Sequence, residues 1–456
     1  MAEPTVEAKP TVEAEHTTLR VFDEHHPPST ELIGECVHCG FCLPTCPTYA
    51  LWGEEMDSPR GRIYLMKLGL EGRAEMTDTY VGHFDKCLGC MACLTACPSG
   101  VQYDKLIEAT RTQIERNYPR TLPDKLFRRM LFELFPHPNR LRVLALPLWF
   151  YQHTGLQSLL RRTGLLKLLP ARLQAMENLA PPVSFSALRS KMPERLEAVN
   201  SPRRRVGLLL GCVQRVFFAD VNAATARVLQ AEGCDVIIPK EQSCCGALMV
   251  HAGQEDQALK LARQTIDTFE KASVDTIVIN AAGCGSTLKE YGHLLRDDPH
   301  YAERAKAFAA KCKDISEILA ELEPQAPRHP LNLRVAYHDA CHLQHAQGVR
   351  LQPRQVLATI PELQVLEIPD SAICCGSAGI YNMVEPEAAQ QLGDRKVQNI
   401  LQTNPDVIAS SNPGCLLQIM GGLEKAGRPL PTVHMVELLD ASIRGTLPAA
   451  LHQRIE

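Results

Sequence analysis

Tryptophan occurs only twice in 456 residues, aromatic side chains make up 5% of the chain, and long apolar runs are missing. The most apolar stretch, LRVLALPLWFYQHTGL, contains Arg142 and Pro147 and falls short of the ~20 residues that a membrane-spanning helix needs. No strand-like run leads into G-x-G-x-x-G at the start of a helix, so a dinucleotide site of the usual kind is excluded. Charge of one sign is lacking too. Lys and Arg number 48 against 52 Asp and Glu, and a net charge of −4 points to no nucleic-acid partner. The first residues, MAEPTVEAKPTVEAEH, have no apolar core of a secretion signal. The expected compartment is therefore the reducing cytoplasm, where cysteines serve as thiols or metal ligands and not as disulfides.

Against these absences stand eighteen cysteines. Cys36, Cys39, Cys42 and Cys46, followed by Pro47, spell C-x2-C-x2-C-x3-C-P, and Cys87, Cys90, Cys93 and Cys97, followed by Pro98, spell it again. In this spacing three thiolates surround one corner of an iron-sulfur cubane, and the fourth reaches the neighbouring cluster. Cys36, Cys39, Cys42 and Cys97 are thus expected to hold one 4Fe-4S cluster, and Cys87, Cys90, Cys93 and Cys46 a second. Structural zinc takes its ligands as two pairs, a poor match to three close cysteines, a fourth four residues on and a proline stop. Paired clusters of this kind move single electrons and do not bind substrate.

The expected class is an α+β multidomain protein of about three domains at ~150 residues each. Residues 1–20, with PTVEA written twice, read as a disordered tail, and 21–110 as a helical two-cluster ferredoxin-type module. Residues 111–203 read as a basic helical linker. From Arg111 to Arg205 there are 18 Lys and Arg against 6 Asp and Glu. DKLFRRMLFELF and LQSLLRRTGLLKLL mix Leu and Arg at helical spacing, broken by Pro136, Pro138, Pro147, Pro170, Pro181 and Pro182. Such helices suit an anionic membrane surface or a partner subunit met through Arg128, Arg129, Arg161 and Arg162; they also suit simple packing with Arg facing solvent.

Beyond Arg205 the chain alternates strand, cysteine and helix. RVGLLLGC ends at Cys212, the vicinal Cys244 and Cys245 precede Gly246, and TIVINAAGC ends at Cys284. LRVAYHDAC then ends at Cys341, Cys374 and Cys375 precede Gly376, and DVIASSNPGC ends at Cys415, at offsets of 129, 130 and 131 residues from the first set. The recurrence predicts two tandem α/β modules with parallel sheets, 204–325 and 331–445. Adjacent side chains in regular structure point apart, so a vicinal pair before glycine reads as a site. His338, Asp339 and His342 around Cys341 add polar groups to the second set. Cys234 and Cys312 have no counterpart and read as core residues.

At this point the chain resembles a known family over nearly its whole length. A two-cluster ferredoxin module, a basic linker and two CCG cysteine-rich modules resemble the iron-sulfur subunits of flavin-linked 2-hydroxyacid and glycerol-phosphate dehydrogenases. CVHCGFCLPTCPTYALWGEEMDSPRGRIYLMK, CLGCMACLTACPSGVQY, NAATARVL, AAGCG with KEYG, LQHAQ and CCGSAGIY resemble, more narrowly, the iron-sulfur subunit of bacterial glycolate oxidase. The resemblance implies a complex in which partner subunits carry FAD and oxidise glycolate to glyoxylate, and this chain passes electrons towards a membrane acceptor such as quinone. It would itself be non-catalytic, cytoplasmic or peripheral on the inner membrane. The equivalent subunit of a lactate or glycerol-3-phosphate dehydrogenase, and a thiol or disulfide reductase, share the architecture. One departure stands out. Heterodisulfide-reductase relatives carry C-x-x-C at the end of each module, whereas Gly285, Ser286 and Thr287 follow Cys284, and Leu416, Leu417 and Gln418 follow Cys415. With the fifth thiolate missing, an additional cluster with a substitute ligand, a zinc ion or no metal are the alternatives for Cys212, Cys244, Cys245 and Cys284 and for Cys341, Cys374, Cys375 and Cys415. His338 and His342 are the candidate substitutes.

Overall fold

Short buried runs of valine, isoleucine and leucine make two sheets. In the first, β1 (Arg195–Leu196), β2 (Arg204–Leu208), β3 (Cys234–Ile237), β4 (Thr276–Ile279) and β5 (Cys312–Asp314) lie in the order β1-β3-β2-β4-β5, and only the β1 pairing is antiparallel. In the second, β6 (Leu333–His338), β7 (Leu363–Glu367), β8 (Val407–Ser410) and β9 (Thr432–His434) lie in the order β7-β6-β8-β9, all parallel. Without the edge strand β1 the two orders are the same, so the repeat in sequence is also a repeat of topology. Every residue of β4 and β8 is buried, as a parallel sheet covered on both faces requires. The computed structural model describes residues 21–183 and 191–452; the tail expected at 1–20 lies outside them.

The two sheets share one core. Val206, Leu208 and Val236 of the first pack in a single cluster with Val335, Tyr337, Val407 and Val433 of the second. Backbone links tie the strand ends together: Ala282 N donates to Ser411 O at 3.1 Å, and a ring nitrogen of His434 lies 3.0 Å from Asn280 O. Arg227 closes the seam by clasping both carboxylate oxygens of Asp440 at 2.9 and 2.7 Å. Even the caps repeat. Asp314 and His434, each last in its sheet, open a helix through a capping box with Glu317 and Glu437.

The N-terminal module is helical, with Ile63, Met66, Phe84, Leu106 and Ile107 at its centre. The two Cys-Pro steps act differently. Pro47 opens helix Pro47–Trp52 with Cys46 as its N-cap, whereas Pro98 follows Cys97 where helix Ala92–Ala96 stops. The boundary expected at 110/111 falls inside helix Tyr103–Asn117, whose buried face runs unbroken through Leu106, Ile107, Thr110, Gln113 and Ile114.

The linker is helical at Leu122–Leu134, Pro138–His153, Leu156–Thr163 and Ala171–Asn178. Pro147, expected to interrupt it, sits within helix Pro138–His153; Val143, whose carbonyl loses its partner, is 67% exposed and within reach of water. Arg128 corrects another expectation. It is buried, paired with Glu115 at 2.7 Å and bonded to Ala252 O at 3.3 Å, and so offers nothing to a partner. Arg129, Arg161 and Arg162 are exposed. Among the described residues no helix is long and apolar enough to cross a membrane.

Candidate iron-sulfur and cysteine-rich sites

Cys36, Cys39 and Cys42 occupy the loop after helix Thr30–Gly34, and with Cys97 and Cys93 they line one cavity. This cavity lies at the surface: Cys39 is exposed, as are Val37 and Phe41 beside it. Cys46, Cys87, Cys90 and Cys93 are all buried. Burial raises the Cys36 thiol from its ordinary value, and Cys97 and Cys39 raise it further. Burial likewise holds Cys90 and Cys93 far above theirs, with Cys46 among the thiols that add to it. All eighteen cysteines are free. Thiols raised in this way, Cys36, Cys90 and Cys93 among them, resist ionisation until a metal supplies countercharge, and the sulfur donors gathered here fit iron-sulfur clusters.

A polar network surrounds the buried group. Thr48 Oγ1 lies 3.2 Å from Cys46 Sγ, donates to Asp57 O at 2.6 Å and accepts from Arg62 Nη1 at 3.2 Å. Arg62 is 1% exposed and donates through Nε to His83 O at 2.6 Å. Arg111, on helix Tyr103–Asn117, donates to the carbonyls of Cys87, Phe84 and His251. Burial works to raise the Cys87 thiol, but Arg62 and Arg111, with hydrogen bonds from Gly89 and Tyr103, together bring the thiol below its ordinary value. Sequence reasoning missed both arginines, because no spacing rule marks a residue whose role comes from where two helices meet.

The cysteine-rich modules place their thiols where parallel sheets gather ligands. In each sheet the chain changes direction between its central strands, and the crevice beyond their carboxyl ends is the switch point. Cys212 follows β2 and Cys284 lies in the first turn of helix Ala282–Lys289 after β4; Cys341 follows β6 and Cys415 lies in the first turn of helix Pro413–Lys425 after β8. Gly246 and Gly376, at φ of +81° and +91°, turn each vicinal pair towards these ends. Cys212 and Cys244 sulfurs stand 3.5 Å apart, and those of Cys341 and Cys374 4.0 Å.

Histidine distinguishes the modules. His338, Cys375 and Cys415 bring their donor atoms within 4.8 Å of one another, all buried. His342 stands apart from that trio: its Nδ1 is 3.6 Å from Cys341 Sγ and its ring meets His251 at 4.8 Å. Hydrogen bonds from Cys374 and Cys415 hold the Cys375 thiol well below its ordinary value, and His338 adds to them. Cys341 is lowered in the same way by Cys374, then by His342. In the first module Leu209 and Val213 stand at the positions of His338 and His342. There the Cys212 thiol is raised, first by its hydrogen bond to Cys244 and then by burial.

Every cysteine of the two sets except Cys375 lines a common cavity of about 550 Å³. Cys87 reaches it from the N-terminal module, and Leu134, Leu141, Leu144 and Leu148 of the linker give it an apolar wall. The ferredoxin-type module meets the second cysteine-rich module directly, since Leu88 and Cys90 pack in one cluster with Cys341 and Cys374. His345 fastens that contact, with one ring nitrogen 2.7 Å from Thr95 Oγ1 and the other 3.1 Å from Ala372 O.

Residues 35–101 match the 4Fe-4S dicluster domain family, 206–289 and 335–420 match the cysteine-rich domain family, and 123–180 match the linker region of the glycolate oxidase iron-sulfur subunit. A probable glycolate oxidase iron-sulfur subunit of Bacillus subtilis is 42% identical over 414 residues, 89% of this chain and 92% of that one. The chain belongs to the family of glycolate oxidase iron-sulfur subunits. The Escherichia coli glycolate oxidase iron-sulfur subunit is 36% identical over 90% of this chain and 94% of its own length. Electron transfer within an oxidoreductase complex is the role of an iron-sulfur subunit of this family. A hypothetical protein from Helicobacter pylori shares the fold, with a TM-score of 0.53 at 10% identity over 87% of this chain and 69% of that one.

Proposed function

We propose that this chain is the electron-carrying subunit of a complex whose FAD-binding subunits oxidise glycolate to glyoxylate, with the electrons leaving towards a membrane acceptor such as quinone. The observation that carries the reading is the alignment of an exposed cysteine cavity, a buried cysteine group and the second cysteine-rich site, joined where Cys90 packs with Cys341. Cys36, Cys39, Cys42 and Cys97 would hold one 4Fe-4S cluster, and Cys87, Cys90, Cys93 and Cys46 the other. The grouping of Cys97 with the first run's cavity, and of Cys46 with the buried thiols, supports this crossed assignment. Bound there, such clusters supply one-electron transfer at a potential that their surroundings set. Val37 and Phe41 leave the entry loop open to a flavin subunit, while His345 and Thr95 hold the inner junction rigid. His338, Cys375 and Cys415 are the donors most suited to a further metal, a cluster or zinc, in the second module. The working place of the complex is the cytoplasmic periphery of the membrane, without nucleic acid.

Anaerobic purification from the native host tests the reading. Flavin-containing subunits should co-elute, the isolated chain should not oxidise glycolate, and activity should return when those subunits are added. Glycolate oxidation by the flavin-free chain would overturn it. Metal analysis should find more than the eight iron atoms of two cubanes, or eight with zinc; eight iron atoms and no zinc would leave the cysteine-rich modules without metal.

A further inference from the structure

The two cysteine groups sit in opposite electrostatic surroundings. Arg60 is the guanidinium near the exposed group, and Glu55 neutralises it at 2.6 and 3.1 Å in contact with solvent, where charge is strongly screened. Arg62 is enclosed beside the buried group, one hydroxyl from Cys46 Sγ through Thr48. Its carboxylate partner Asp57, 3.4 Å away, is shared with His83 at 2.9 Å and Lys86 at 3.2 Å, so the local balance stays positive. Arg111, which donates to the Cys87 carbonyl, bonds carbonyl oxygens only, and among the described residues no carboxylate pairs with it.

We propose that Arg62 and Arg111 make the buried cysteine group the electron sink of the pair, so that an electron arriving at the exposed group moves inward and not back. The inference rests on the crossed assignment given under Proposed function. Each reduction adds one negative charge to the buried site; burial alone disfavours that charge, and fixed cations offset it at low dielectric far more than they would in water. One electron leaves the exposed site and one arrives at the buried site. No bond is made or broken, and no proton moves. Neither arginine touches the reacting flavin or substrate, so both act as positioning residues for the direction of transfer.

EPR-monitored redox titration of the full chain, purified anaerobically with its clusters, tests this. In Arg62→Gln and in Arg111→Gln the midpoint of the buried site should fall by at least about 59 mV, tenfold in the equilibrium constant of a one-electron couple. The midpoint of the exposed site should hold still in both, and Arg60→Gln should leave the buried site unchanged. Arg111 is only partly buried, so its variant decides the matter if Arg62→Gln does not assemble. An Arg111→Gln protein with eight iron atoms and an unmoved buried midpoint, or an equal shift at both sites, would overturn the role of the arginines. Fewer than eight iron atoms in the wild-type chain would overturn the cluster assignment as well.

Discussion

Cys46 is the residue that best separates chain order from spatial order. It belongs to the first run by sequence, yet it is buried with Cys87, Cys90 and Cys93 while its run-mates stay nearer the surface. Cys46→Ser should therefore damage the cluster built on Cys87, Cys90 and Cys93 and spare the one built on Cys36, Cys39 and Cys42. EPR of the reduced variant reads this directly, and two unaltered spin-coupled signals would refute it. Asp314 makes a different residue-scale prediction. Burial raises its carboxyl from 3.8 to about 6, against the opposing bonds from Ser316, and its Oδ2 has no hydrogen-bond partner. The folded chain thus keeps a proton that the unfolded chain has released; this contribution to stability is complete below pH 3.8 and is lost as pH rises through 6. Between pH 4 and pH 8 the stability of Asp314→Asn relative to wild type should move in the variant's favour by about 2.5 kcal/mol, because each tenfold difference in proton affinity between the two states is worth about 1.4 kcal/mol and the unfolded carboxyl is already partly ionised at pH 4. Denaturant midpoints at the two pH values check it, and a pH-independent gap would count against it.

At the scale of elements, the two CCG loops carry the same motif under different constraint. A Cβ at Gly376 would lie 2.4 Å from Ala389 O, on the backbone of helix Pro386–Gln402, whereas at Gly246 it would lie 3.5 Å from Ala258 O. Alanine at either position meets the left-handed backbone cost of about 1–2 kcal/mol. Only at 376 must the loop also leave its helix. Gly376→Ala should lower the melting temperature clearly more than Gly246→Ala; equal losses in the two variants would show that the helix yields. The linker shows the complementary behaviour, because helix Leu156–Thr163 buries none of its residues and presents Leu156 and Leu159 outward together with Arg161 and Arg162.

For the whole molecule, the basic charge of the linker divides into two kinds. Arg128 is structural: Arg128→Glu would set a second carboxylate in the buried place beside Glu115, with Arg120 alone left to neutralise the two, and should destabilise the chain by about 3 kcal/mol. Arg161 is bonded to the largely buried Glu177 at 3.0 Å and belongs with Arg128, whereas Arg162 is exposed, and its reversal to Glu should leave the melting temperature nearly unchanged while weakening sedimentation with anionic vesicles or co-elution with flavin subunits. If both associations persist, the outward charge of this helix serves only solubility.

The residues by themselves determined the chemistry. The repeated C-x2-C-x2-C-x3-C-P spacing marks the stretch that matches the 4Fe-4S dicluster domain, since ligand geometry is local to a few residues, and the recurrence of Cys212, Cys244, Cys245 and Cys284 at a near-constant offset specifies a duplicated α/β unit. The histidines flanking Cys341 were legible in the sequence, but which sulfurs each of them meets was not. His338 ends a central strand and brings its ring to Cys375 and Cys415, while His342 opens a helical turn and lies against Cys341 and His251. Only the tertiary structure decided that the cysteine-rich sheets share one core, that cysteines of both sets line one cavity, and that Arg62 and Arg111 come close to Cys87. Those relations join residues far apart in the chain, and packing between elements sets them where no local spacing or periodicity can.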